Sequence, residues 1–580
     1  MEKYGQIDLK KVIIPKVLPK TQFNCQADIN IIDEIREIRS VNHLLLGDEI
    51  NGQLDGTILS IDFKDAFRSI SLRWFNLVMQ YLGVPEQFID WFWSMYCDLY
   101  TVIVINRYKS DRINIQRGFM EGHPPSMAAF VVSLIPLMGA LEENMVGIMT
   151  ANTKEHKIKL FADDLKLFIK NTEEIEAVYK VICKFEEISG LEMHRDPRRL
   201  KCQALPFGKH KDYDAWPEWV TVKSSIKVVG AVFSNNESID KLNSALVEKC
   251  FYNALNKSYG ITGTIYQKAF FVNTYLFSKL WYSAQSFKID EKMLKKIISK
   301  SLDFIYAGEN EKPVRPLNFR KKTLGGIGLI NPIIKARALL IKNVYKDYLE
   351  YNDADFVTNL YGYTEDCERV YNCGLATAPV REIYDFLLQE EIYRNGSLIP
   401  SRNEKKSFNV KWSLAWKNLN QMRGLTAKEK CFAWKLQQDL LPVGVRKHRK
   451  NADRRCLNLL ANNQVCVDPQ TLEHAFATCS SVLDIFESLS KVLEKLLNRS
   501  VGLKELITFS FNTRSKKRLV CALWFSVKVL YRIFHEKSHN KRQILYDVIK
   551  ELDWNLSLNR NIGSKNEVIF LRQVIDSHLV

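Results

Sequence analysis

The stretch "KIKLFADDLKLFIK", residues 157–170, constrains this chain more than any other. Ile158 and Leu160 point one way on a strand, with Lys157 and Lys159 the other way. After Asp163 and Asp164, the apolar residues Leu165, Leu167 and Ile169 alternate with Lys166 and Lys170. Period-two alternation on both sides predicts two strands joined at Ala162–Asp164. Two readings of the adjacent carboxylates follow. Asp is a common turn residue, so the pair can be a plain hairpin turn. It can also be part of a divalent-metal site, because hard cations take carboxylate oxygens. A cation between like charges makes their proximity tolerable. One turn cannot complete such a site, so a further carboxylate must come from elsewhere.

Roughly a hundred residues earlier, "TILSIDFKDAFRSI" (57–70) supplies a candidate. Asp62 ends a β-rich run, and the chain then turns toward a helix. An Asp at a strand end beside a two-Asp hairpin places three carboxylates around one point. Two metals about 4 Å apart would then activate a 3′-hydroxyl and stabilise a leaving pyrophosphate. Asp65 lies past the strand, where a helix-start role is the common fate of Asp.

The chain has 580 residues, too many for one core, which predicts about three to five domains. Lys and Arg number 83 against 66 Asp and Glu, a net +17. That excess suits a polyanionic partner such as nucleic acid, or a solubility surplus spread over the surface. "MEKYGQIDLKKV" has no apolar core, so no secretory signal is read there. Leu519–Phe534 is apolar but short, and Lys528 and Arg532 interrupt it, which predicts a buried helix and no membrane span. Twelve cysteines without a framework spacing fit reduced thiols in the nucleus or cytoplasm and not a secreted disulfide scaffold.

Residues 57–235 mix strands and helices. Helices are expected over "SLRWFNLVMQYLG", ending at Gly83, over the aromatic "PEQFIDWFWSMYCDL", over "PPSMAAFVVSLIPLMGALEENM" and over 173–188. "TVIVINRYKSDRINIQRG" reads as a strand pair turning around Lys109–Asp111, and "IKVVGAVF" as a strand. From about residue 238 the pattern is almost entirely helical. "KAFFVNTYLFSKLWYSAQSF" is a long apolar helix, and "GGIGLINP" (325–332) is a glycine-rich break and a plausible domain edge. Trp412, Trp416 and Trp434 fit an apolar helix face better than a base-stacking platform. Arg446, Lys447, His448, Arg449 and Lys450 form a basic run, read as a solvated turn or a nuclear-localisation patch.

The order of pieces carries a resemblance. Strand-Asp-x-x-x-Ala-Phe is followed by "RGFMEGHPPSM", "FADD", "SGLEMHRDPRRLKC" and "KVVG". This resembles the reverse transcriptase of non-LTR (LINE-type) retrotransposons, strongly over about residues 15–235 and more loosely to 456–479. The resemblance implies an α+β fold: a right-hand polymerase palm, an antiparallel sheet with packed helices, followed by a helical thumb and a mostly α-helical C-terminal region. The implied division is a residual fingers segment (1–56), palm (57–235), thumb (236–335), a helical basic and aromatic region (336–445), a degenerate zinc-knuckle-like segment (446–485) and a helical tail (486–580). Implied partners are an RNA template, a DNA primer and dNTPs, with two Mg²⁺ ions. Asp62 and Asp163 would be the principal metal ligands, with Asp164 supporting them. Phe63, Phe67, Glu121 and Gly122 would border the nucleotide. Phe67 would act as an aromatic gate that excludes a 2′-hydroxyl, or would simply pack in the core. Gly122, with Pro124 and Ser126 in the same segment, would be the backbone approach where no Cβ is tolerated. Ser189, Gly190 and Leu191 match the family's turn after a helix. Arg198 or Lys201 would protonate pyrophosphate. Val229 and Gly230 match the strand that grips the primer.

This chain departs from the family pattern in places. Glu121 replaces an amide, which should repel a triphosphate or capture a stray cation. Ala-Phe-Asp becomes Ala66, Phe67 and Arg68. Only about fifteen residues precede "KVLPKTQF", and the Gly-Arg pair expected after it is missing. Most of the fingers and the upstream endonuclease are therefore expected to be absent. The "CLNLLANNQVCVDPQTLEHAFATC" stretch resembles the family's zinc-knuckle-like segment through Cys456, His474 and Cys479. The second cysteine is replaced by Leu459, and Cys466 can substitute. Its other reading is a metal-free segment with inert buried cysteines. For the whole chain the alternative to a polymerase is a truncated or domesticated element product that binds nucleic acid without efficient synthesis.

Overall fold

The computed structural model describes residues 22, 30–47, 54–150, 154–199, 201–307, 313–362, 365–394, 397–401, 404, 410–443, 455–456, 466–535, 541–557, 566 and 569–573. The basic run 446–450, Leu459 and most of the first 29 residues lie outside them. The fold is α+β. It divides into two compact units: 1–249 with 281–290 and 336–380, and 250–280 with 291–335 and 381–580.

In the first unit a five-stranded sheet has the strand Gly56–Ile61 at its centre. Asp164–Ile169 pairs antiparallel on one side and Gln203–Phe207 on the other. Ile158–Phe161 extends the first side, closing the hairpin expected from the sequence. At the other edge Thr221–Val222 pairs parallel to Gln203–Phe207, so the sheet is mixed and not wholly antiparallel. Leu59, Ile61, Ile158, Leu160, Leu165 and Leu167 share one core with the helices Leu72–Tyr81, Ser126–Ser133 and Glu174–Ser189.

Several local expectations shift. The run 126–143 is apolar enough to span a membrane but is packed inside this core. It is two helices broken at Leu134, ahead of Pro136. The aromatic helix is only Glu86–Ser94, and Trp91 and Trp93 are exposed. The first hairpin turns at Asn106–Arg107, both left-handed at φ 49° and 73°, not at Lys109–Asp111. That is the twist a two-residue hairpin turn requires. "IKVVGAVF" is not one strand either. Val229 and Gly230, at φ 47° and 86°, form the tight turn between Ser225–Val228 and Ala231–Ser234.

The basic face of the central hairpin is also buried. Helix Ile31–Leu46 starts at Asn30, which forms a reciprocal capping box with Asp33. The helix brings Glu34 and Glu37 onto the lysines. Lys159 and its cross-strand partner Lys166 are both buried. Glu37 pairs with Lys159, with Lys154 at 3.1 Å, and lies 3.3 Å from His156. Burial works to raise the Glu37 pKa, but His156, Lys159 and Lys154 outweigh it and hold the carboxyl well below its usual range. Glu34 has no such partner. Burial pushes its pKa up to about 8, against the pull of Lys166 and Lys159 and with the push of Asp164 and Glu37. On the far side of the helix, Arg36 bonds Asp347, and Arg39 donates to Asp240 at 2.8 Å and to the Leu360 carbonyl at 2.8 Å.

In the second unit Trp416 and Trp434 are buried, and the Trp434 indole N–H donates to the Gly325 carbonyl at 2.8 Å. Gly325 is left-handed at φ 80°, and a Cβ there would lie 2.6 Å from the Trp416 ring. The stretch expected as one long helix in 268–287 contains a π-turn at Val272–Leu276. The Lys516–His535 helix is internal. Lys528 is buried and bonds Glu429 at 2.6 Å and Glu551. Among the described residues, one short strand pair, Tyr393–Arg394 with Ser397–Leu398, interrupts the helical pattern after residue 238.

The charged layer sets opposite pH signatures. The depressed pKa of Glu37 contributes stability that is present above about pH 4.3 and is lost as pH falls below it. Glu37→Ala should cost about 3–5 kcal/mol at pH 7 in urea unfolding, because it removes the buried carboxylate that pairs with Lys159 and Lys154. Glu34→Gln should do the reverse. Its stability relative to wild type should rise as pH goes from about 4.3 to about 8, where the wild-type carboxyl resists ionisation. A flat difference across that window would contradict the buried placement of Glu34.

Candidate active site and metal centre

The antiparallel register sets Ile61 opposite Leu165, which brings the end of the central strand level with the hairpin turn. Asp62 follows the central strand, and Asp163 lies in the turn. The two-residue turn is Ala162–Asp163, between the paired residues Phe161 and Asp164. Ala162 is left-handed at φ 57°, a conformation that a residue with a Cβ adopts at a cost of about 1–3 kcal/mol. Gln22 supports the turn: its Oε1 accepts the Ala162 N–H at 3.3 Å, and its backbone bridges Leu160.

Three carboxylates share this end of the sheet. Burial raises the Asp163 pKa first, and the charges of Asp164 and Asp62 raise it further. Asp62 Oδ2 is 3.5 Å from His194 Nε2 and 3.5 Å from Lys201 Nζ. The Asp62 carbonyl accepts the His194 N–H at 2.9 Å. Asp164 is held by the buried Lys166 ammonium. Such an arrangement is under-neutralised, and a divalent cation would relieve it.

Of the two bases considered for pyrophosphate, Lys201 is at the acids, whereas Arg198 pairs with Asp196 at 3.1 Å and is exposed. Asp65 stands at the start of helix Ala66–Ser69, but its side chain caps nothing. Its left-handed backbone, φ 39°, lets its carbonyl accept from Arg68 and Ser69. Phe63 is inside the core, paired in register with Met193. Phe67 is half-buried, with ring centroids 5.2 Å from Phe130 and 6.2 Å from Phe119. Ser126 is buried, 3.0 Å from the Tyr96 hydroxyl.

Gly122 is left-handed at φ 81°, and a Cβ there would meet no protein atom within 4 Å, so the backbone conformation alone requires glycine. Glu121 accepts from Arg68 Nε at 2.9 Å. The two departures from the family pattern therefore form an exposed ion pair with each other. Ser189–Leu191 is a helix C-cap: Gly190 is left-handed, and the Ser189 carbonyl accepts the Ser71 N–H at 2.7 Å. Gly118 permits the segment before Gly122 to lie on the Arg68 backbone, where a Cβ would come within 2.6 Å. The Val229–Gly230 turn is pinned by the Tyr282 hydroxyl, which donates to the Val229 carbonyl. Burial, with Glu34 and Asp164, pushes Tyr282 up to about 12. Sequence reasoning assigned no role to Gln22, Lys166 or His194. Only the charge of Lys166 beside the Asp pair offered a signal.

In the second unit Cys456, Cys466, His474 and Cys479 converge: their ligand atoms all lie within 4.8 Å of one another, and all four residues are buried. Cys456 and Cys479 sulfurs are 3.7 Å apart, and Cys466 Sγ is 3.4 Å from His474 Nε2. Tetrahedral zinc with Zn–S of about 2.3 Å spans S···S edges of about 3.8 Å, which these residues fit. His474 and Cys479 bracket a π-turn, in which the Cys479 N–H bonds the His474 carbonyl at 3.1 Å. Cys456 is placed by its N–H to the Asp468 carbonyl at 2.8 Å. Burial raises the Cys466 thiol pKa.

Residues 7–231 match the family model of reverse transcriptase (RNA-dependent DNA polymerase). A Xenopus laevis protein, the transposon TX1 uncharacterized 149 kDa protein, is 21% identical over 308 residues, 52% of this chain and 23% of its own length. The retrovirus-related Pol polyprotein from type-1 retrotransposable element R2 of Popillia japonica is 24% identical over 148 residues, 26% of this chain and 24% of its own. The chain thus spans about a quarter of each of these relatives. A Candida albicans telomerase structure, solved with a fragment of telomeric RNA, aligns at a TM-score of 0.30 and 10% identity, covering 62% of this chain and 50% of that one. Residues 7–231 are a domain of the reverse transcriptase family, distantly homologous to the TX1 and R2 retrotransposon proteins.

Proposed function

We propose that this chain is the RNA-directed DNA polymerase part of a non-LTR retrotransposon protein, acting in the nucleus or cytoplasm. It would join dNTPs to a DNA primer on an RNA template. The observation that carries the reading is the strand register, which brings Asp62 at the end of the central strand level with the turn that holds Asp163 and Asp164; the charges of Asp62 and Asp164 both act on Asp163. Asp62 and Asp163 would hold divalent cations, with Asp164 in support. Bound there, such cations activate the primer hydroxyl and neutralise the leaving pyrophosphate. Lys201, half-exposed and 3.5 Å from Asp62, would give that pyrophosphate a proton. Phe67, backed by Phe119 and Phe130, would present a rigid ring to the sugar. The left-handed turn at Gly122 would offer backbone to the nucleotide. Arg68 pairs with Glu121 at 2.9 Å, which would moderate the negative charge facing a triphosphate.

Residues 57–235 would act as the palm and the following helices as a thumb. The four residues Cys456, Cys466, His474 and Cys479 would hold one structural zinc.

Purified protein should extend oligo(dT) on poly(rA) with Mg²⁺, and an Asp163→Ala, Asp164→Ala double variant should lose this by about 10³-fold or more. Absence of extension by the wild type, with salt-sensitive RNA binding retained, would favour the nucleic-acid-binding alternative. In the same assay Arg68→Ala should raise the KM for dTTP about tenfold by exposing Glu121, and adding Glu121→Gln should restore it. Metal analysis of the full chain should find about one zinc per molecule, and chelation should lower its melting temperature. A content below about a tenth of an equivalent would contradict the zinc assignment.

A further inference from the structure

Lys166 lies two residues beyond the second Asp of the pair. Its side chain is fully buried, and its ammonium is bonded to Asp164. A divalent cation drawn to the three acids would repel that ammonium, and Asp164 cannot serve both cations at full strength. The ammonium cannot escape to water, and leaving it buried without a counter-charge is costly. It needs a second acceptor within the same enclosed layer.

Glu37 is already engaged by Lys154 and Lys159, with His156 beside it. Tyr282 spends its hydroxyl proton on the Val229 carbonyl. Glu34 is different. It is 0% exposed, comes from the first turn of helix Ile31–Leu46, and neither carboxyl oxygen has a hydrogen-bond partner. Lys166 is the first charge that acts on it, ahead of Asp164, Lys159 and Glu37. Buried carboxyl oxygens with vacant acceptor positions are rare and call for an explanation.

We infer that Lys166 is a positioning residue with two docking places: it holds Asp164 while the cation site is empty and passes to Glu34 when Asp164 turns to a divalent cation. The inference rests on reading the three acids as a cation site. Glu34, neutral while the site is empty, releases its proton to solvent as Lys166 arrives and becomes its counter-charge, so helix Ile31–Leu46 takes part in metal loading without touching the metal.

The test is a Mn²⁺ titration of the full chain, without nucleic acid, followed by electron paramagnetic resonance, with thermal melting recorded on each variant. Wild type should bind Mn²⁺ in a manner lost in Asp163→Asn. Glu34→Gln keeps an acceptor but cannot supply the counter-charge, so Mn²⁺ should bind about tenfold more weakly although the melting temperature is not lowered. Lys166→Met frees Asp164, so Mn²⁺ should bind severalfold more tightly. If Lys166→Met does not fold, Glu34→Gln decides alone. Asp163-dependent binding that neither variant moves would overturn the inference and leave the cation site standing. No Asp163-dependent binding in wild type would overturn both.

Discussion

The structure depends on a layer of charge sealed between helix Ile31–Leu46 and the back of the central hairpin. Lys159 and Lys166 are adjacent across the two strands, and neither reaches water. Like ammonium groups in such a place are tolerable only with matching carboxylates. Glu37 answers Lys159, and Asp164 answers Lys166. This pairing links an apparently structural helix to the acidic turn: the counter-charge of one buried lysine is itself a member of the candidate catalytic set. Glu34 completes the layer as a carboxyl held near its neutral form, so the charges balance without it.

The front of the same hairpin shows strain where its back shows charge. Ala162 sits directly before Asp163 in left-handed backbone, and Asp65 and Val229 in the same unit share that conformation. For a β-branched residue such as Val229 this is a genuine outlier. Each strained residue is pinned from outside its own turn or by the helix it starts: Ala162 by Gln22, Val229 by Tyr282, Asp65 by the amides of Arg68 and Ser69. Strain that persists under such restraint is a mark of positions that must aim something. The Arg68–Glu121 pair follows a similar logic at the rim. A substitution that looks damaging alone is matched by a second, fifty-three residues away in sequence and 2.9 Å away in space.

Much of this was legible in the sequence. The two strands around the Asp pair and the strand ending at Asp62 follow from alternation and turn chemistry, whereas the turn at Gly190 and the set Cys456, Cys466, His474 and Cys479 came from the family resemblance. Lys528 and Arg532 correctly marked Leu519–Phe534 as internal, each with acidic partners. What was not legible has physical causes. The alternation of lysines showed that Lys159 and Lys166 share a face, but not that a helix more than a hundred residues earlier covers it. The Val229–Gly230 turn was hidden because a β-branched residue is a poor turn former, and its restraint by Tyr282 comes from more than fifty residues away. His194 gave no signal, because its place beside Asp62 is made by backbone pairing between distant segments.

The central claim is that acids remote in sequence meet to hold divalent cations, and iron-directed backbone cleavage tests it most directly. Fe²⁺ substituted for Mg²⁺, with peroxide and ascorbate, cuts the chain where the metal sits. The account predicts two cuts in one molecule, near Asp62 and near Ala162–Asp164, both suppressed by excess Mg²⁺ and by Asp163→Asn. Cleavage at one of these segments without the other, or at neither, would contradict it.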